Sequence, residues 1–133
     1  MTEEYINRVK EQFNNFFSLR EKRENILQVI APLYHADGDM MDIFLTEMPN
    51  NLVRISDYGL TLMRLSYTYD IDTPNKGKIF NKILAENSVQ NENGNLIIDI
   101  KQENIYSGLM QFAQTISKIT NMRLYKREII HSL

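Results

Sequence analysis

The chain has 133 residues, 15 basic against 17 acidic, and a hydrophobic fraction of 43%, which suits a single core in one domain spanning 1–133. The absence of cysteine removes disulfide frameworks, thiolate metal sites and cysteine nucleophiles, and a net charge of −2 supplies no general pull toward nucleic acid. The acidic start MTEEYINRVK is unlike a signal peptide, no run approaches the roughly 20 apolar residues of a bilayer span, and no asparagine lies in an N-x-S/T acceptor; the expectation is a cytoplasmic protein away from membranes.

In chain order, EEYINRVKEQFNNFFSLREK (3–22) places Ile6, Val9, Phe13 and Phe16 at three- and four-residue steps, one apolar face of a helix. Thr2 followed by Glu3 and Glu4 suits its start. Phe17 widens the aromatic stripe, and a sheet is the expected cover. ILQVIAPLYH (26–35) reads as a strand that Pro32 confines to an edge or a bend. ADGD (36–39) is turn chemistry, and MMDIFLTEM (40–48) alternates as a second strand. Pro49, Asn50 and Asn51 turn the chain into a third, LVRIS (52–56), completing an antiparallel meander.

RISDYGLTLMRL (54–65) then reads as a strand ending at Ser56, a cap or turn from Asp57 to Gly59, and an apolar run beyond. LSYTYDID (65–72) alternates Leu65, Tyr67 and Tyr69 against polar residues, as at a sheet edge, and IDTPNKGK (71–78) reads as a loop. KIFNKILAEN (78–87) predicts a short helix. SVQNENGNLIIDI (88–100) predicts a hairpin about Asn93 and Gly94. Ile105, Leu109, Phe112, Ile116, Ile119 and Met122 form the apolar face of a long last helix packed on the sheet. The fold class is therefore α+β, with the first and last helices expected on one sheet face.

Charge is uneven. Between His35 and Asp57 five acids (Asp37, Asp39, Asp42, Glu47, Asp57) face Arg54 alone, whereas Lys118, Arg123, Lys126 and Arg127 outnumber Glu128 near the end. His131 belongs to the terminal segment. The five scattered glycines form no dinucleotide or phosphate loop, and no cofactor is expected. Three readings follow from the remaining residues. Tyr58, Tyr67, Tyr69 and Tyr34 with Arg54, and the acids Asp37, Asp39 and Asp57, suit a non-enzymatic protein-binding surface. Alternatively, His35, Asp37, Asp39 and Asp57, with Asp42, could hold Mg²⁺ or Mn²⁺ in a nuclease or hydrolase. A weaker variant joins Asp39 to the Asp99-Ile100-Lys101 triplet. A homo-oligomer built on the last helix is a third option.

The order of these motifs, DGD, RISDYGLTLMRL, KIFNKILAENSVQNENGNLIIDI and LMQFAQTISKITNM, resembles the bacterial and phage domain-of-unknown-function family eighteen-twenty-eight. The resemblance covers nearly the whole chain after the first helix. Its typical segment, I/L-[ST]-D-D-G-x-T-L-x-x-L, is met by Ile55, Ser56, Asp57, Gly59, Thr61, Leu62 and Leu65, with Tyr58 replacing the usual second acid. The resemblance implies a bacterial or mobile-element setting, in which small proteins act by binding, including to host defence components. It carries no catalytic residues.

Overall fold

The computed structural model describes residues 1–124; Lys126, Arg127, Glu128 and His131 lie outside them. Strands β1 (Ser18–Arg23), β2 (Ile26–Ile30), β3 (Phe44–Met48), β4 (Leu52–Ser56), β5 (Gln90–Glu92) and β6 (Asn95–Lys101) form one sheet. Its order is β1-β2-β3-β4-β6-β5, and every pairing is antiparallel. The helices are α1 (Glu3–Asn14), α2 (Leu60–Ser66), α3 (Pro74–Glu86) and α4 (Ile105–Thr120), with 3-10 turns at Gln102–Asn104 and Asn121–Leu124.

Register separates the two sheet faces. Leu27, Leu45, Ile55 and Ile98 pair in a row across four strands, and this row belongs to the core beneath α4. The adjacent rows Gln28-Phe44-Ser56-Ile97 and Ile26-Thr46-Arg54-Asp99 point the opposite way, because side chains alternate along a strand. The expected apolar face of the last helix is realised: Leu109, Phe112, Ile116, Ile119 and Met122 are buried, and Ile105 packs at the core margin. Gly108 sets the helix height. A Cβ there would stand 2.6 Å from Ile100 Cδ1, closer than van der Waals contact allows.

The meander, the Asn93-Gly94 hairpin and the long last helix form as expected. The hairpin turn places both Asn93 and Gly94 at positive φ, which suits the sheet's twist. Five local readings change. The first helix stops at Asn14, with Asn15 as its C-cap, and Ser18–Arg23 is a strand. That strand escaped a hydrophobic reading because it is an edge, exposed along its whole length. Second, α1 has no buried residue, so α4 and its neighbours, not α1, cover the sheet. Third, the β2–β3 connection is longer than a tight turn: residues 31–43 fold into their own excursion, bridged between Tyr34 and Met40. Fourth, Pro74 starts α3 instead of sitting in a loop, since its fixed φ and missing N–H suit the first helical position. Fifth, Tyr67 and Tyr69 follow the end of α2 and do not lie on an edge strand; Tyr67 is its C-cap.

Candidate functional site

Asp57 is fully buried. Its Oδ1 accepts from the Gly59 N–H at 2.9 Å and the Leu96 N–H at 3.0 Å, and its Oδ2 accepts from the Thr61 N–H at 3.1 Å. The Asp57 N–H returns a bond to the Leu96 carbonyl. One carboxylate thus ties β6 to the β4–α2 turn and caps α2. Tyr58 and Gly59 both adopt left-handed φ, 51° and 79°, a conformation that costs a tyrosine and is free for glycine. Tyr58 is held there by its N–H to Ser56 Oγ and by its ring, edge-on to Phe44 at 5.1 Å.

On the helical side a cleft of about 350 Å³ lies between the 31–43 excursion, α2 and the end of α4. Its lining includes His35, Asp37, Asp39, Asp42, Arg64 and Tyr67. The Arg64 guanidinium spans both turn carboxylates, bonding Asp37 and, at 2.9 Å, Asp39. The Asp39 backbone N–H, reinforced by Arg64, holds the Asp37 carboxyl below its ordinary range. Asp57 does not line this cleft. Among the described residues, no three His, Asp or Glu side chains converge as a metal-binding group. Asp39 also stands apart from Asp99, which faces the open side of the sheet.

His35 is buried, and its Nδ1 has no hydrogen-bond partner. Burial, then Arg64, lowers its pKa, while Asp37, Asp42 and Asp39 oppose the shift. A base whose folded pKa lies below its unfolded value of 6.5 costs no stability above that pH. As pH falls below it, the unfolded chain takes up the proton first, and stability drops until the folded pKa is passed. His35→Gln is therefore expected to flatten the loss of stability between about pH 7 and pH 5, measured by urea melts across that range. An unchanged slope would refute the assignment.

The open sheet face carries Arg54 and Tyr58. Arg54 forks onto Asp99 at 2.8 and 2.9 Å, the cross-strand partner its register supplies, with Glu92 at 3.9 Å. Such bidentate pairs fix the guanidinium plane. The Tyr58 hydroxyl lies 3.4 Å from Thr46 Oγ1. Tyr69 is elsewhere again, packed at the core margin with Lys76 Nζ 4.4 Å above its ring. Tyr34 is exposed on the excursion. The residues expected to form one surface therefore divide between the open face, the cleft and the core.

A further surface emerges from α1 and the residues just past its end. Tyr5, Ile6, Phe13, Phe16 and Phe17 are all exposed. Phe13, Phe16 and Phe17 border a groove of about 620 Å³ closed on its other side by Pro32, Leu33, Tyr106 and Met110. The three- and four-residue spacing announced this stripe, but only the fold shows it uncovered.

An antiparallel sheet with helices on one face and a polar cleft at one end of that layer defines a small α+β protein. The chain belongs to the family described as Domain of unknown function DUF1828, whose model matches residues 31–119. The match begins one residue past β2, so it omits α1 and the β1–β2 hairpin, a narrower span than the motif order implied. No curated protein and no solved structure matches the chain. No helix among the described residues is long and apolar enough to cross a membrane.

Proposed function

We propose that the protein is a non-enzymatic protein-binding module, working in the cytoplasm in the bacterial or mobile-element setting its family resemblance implies. One observation carries this reading: the 12-residue amphipathic helix α1 buries none of its own residues, and its Tyr5, Ile6 and Phe13, with Phe16 and Phe17 just past its end, are exposed to water. Uncovered apolar faces of this kind mark interaction sites, and aromatic anchors supply much of their binding energy. A hydrolase reading has less support, because Arg64 bridges Asp37 and Asp39 and three backbone N–H groups already engage Asp57.

The test is a photoreactive benzoylphenylalanine at position 13, with position 86 on α3 as control, irradiated in living cells. Position 13 is expected to give a covalent protein adduct of defined mass that Ile6→Glu abolishes, and position 86 none. No adduct at position 13 would overturn the reading.

A further inference from the structure

We infer that the aromatic face of α1 pairs with the same face of a second copy of this chain, making a twofold dimer. The inference rests on the docking reading above and names its occupant.

Area is the first argument. Tyr5, Phe13, Phe16 and Tyr106 are 56%, 63%, 50% and 68% exposed, with Ile6 and Phe17 near 40%. At 150–250 Å² for a whole aromatic side chain, they present about 500–700 Å² of surface. Covering it on two copies removes about 1,000–1,400 Å² in total, which reaches the roughly 1,000 Å² that a specific interface needs and overlaps the low end of the standard size.

Charge is the second. Residues 1–24 hold five acids and five bases, so the segment has no net sign with which to select an acidic or basic partner. A lipid surface is disfavoured for the same reason, since interfacial helices carry basic polar faces. A twofold interface asks instead for self-complementarity, and the segment has it. Glu3 and Glu4 open α1, with Glu4 paired to Arg8, while Arg20, Lys22 and Arg23 outnumber Glu21 in β1, past its far end. Antiparallel pairing of two α1 helices sets Ile6 of each copy against Phe13 of the other. The acidic start of one helix then lies beside the last turn of its partner, which carries no acid of its own past Glu11 and from which the chain runs on into β1. The open sheet face, with Arg54 and Tyr58, and the Arg64 cleft stay free in this dimer.

Sedimentation velocity on the full chain from about 1 to 100 μM tests it. The expected result is a species of twice 15.7 kDa, with Phe13→Glu and Ile6→Glu each weakening association at least about 30-fold and leaving the far-UV spectrum unchanged. Tyr67→Glu, at an exposed tyrosine of the cleft, is expected to leave the dimer intact. A wild type monomeric at 100 μM would overturn the inference, as would a dimer that tolerates Phe13→Glu or is lost equally in Tyr67→Glu. If the monomer nonetheless gives the position-13 adduct with a protein of other mass, the docking reading survives alone. If it gives none, both fall.

Discussion

Asp57→Ala is expected to destabilise the fold by about 3–5 kcal/mol, because it strands three backbone N–H groups that a single carboxylate now satisfies. The Gly59 and Thr61 donors sit in the β4–α2 connection, and the Leu96 donor sits near the start of β6. The Thr61 and Leu96 donors lie at buried positions, where water does not readily take the place of the carboxylate, and the Gly59 donor is part-buried. Asp57→Asn separates the contributions. Its amide oxygen can keep Gly59 and Leu96, but its NH₂ faces the Thr61 N–H donor to donor, so a loss of about 1–3 kcal/mol is expected. Urea midpoints at constant m-value read both. A loss below about 1 kcal/mol in the alanine variant would show that other groups hold this junction.

Much of this fold was legible because the signals were local or periodic. Asn93-Gly94 demanded a hairpin, and the four-three spacing from Ile105 demanded a one-faced helix. Asp57 read as a cap from its place between a strand and an apolar run. What the sequence hid was tertiary. Nothing in SLREKR marks a strand, because β1 is an edge with solvent along its length and needs no apolar alternation. The clue was Asn25, whose left-handed φ turns the hairpin and whose side chain bonds Glu47 on β3. Pro74 and Gly77 read as loop residues, yet proline at the first helical position is pre-organised for helix.

The candidate site was less legible, for a related reason. Residue types suggested one surface, but strand alternation sends Arg54 to the open face, while Asp37 and Asp39 lie in the Arg64 cleft. The arginine that bridges those acids is 25 residues or more away in sequence. Local charge counting could not see it. Tyr58 illustrates the opposite case: its site between Asp57 and Gly59 was evident, whereas its strained backbone and its contact with Phe44 needed the fold.

Phenylalanine at two positions separates core from surface. Phe112 is 0% exposed in α4 and Phe13 is 63% exposed in α1, although both came from the same kind of helical spacing. Phe112→Ala removes a ring enclosed by α4 and the sheet, and its expected cost is about 3–5 kcal/mol, a transfer loss plus the cavity left behind. That is a large share of the roughly 5–15 kcal/mol that holds a domain together. Phe13→Ala should cost less than about 0.5 kcal/mol at concentrations low enough for the chain to be monomeric, where its ring meets mainly water. Its penalty should grow as concentration rises, because a residue that acts only in the dimer affects stability through mass action. The Phe112 penalty contains no such dependence beyond that of the wild type. Thermal melts of both variants over a hundredfold range of concentration make the comparison. If Phe13→Ala were as costly as Phe112→Ala at every concentration, α1 would be part of the core and its stripe would not be a docking face.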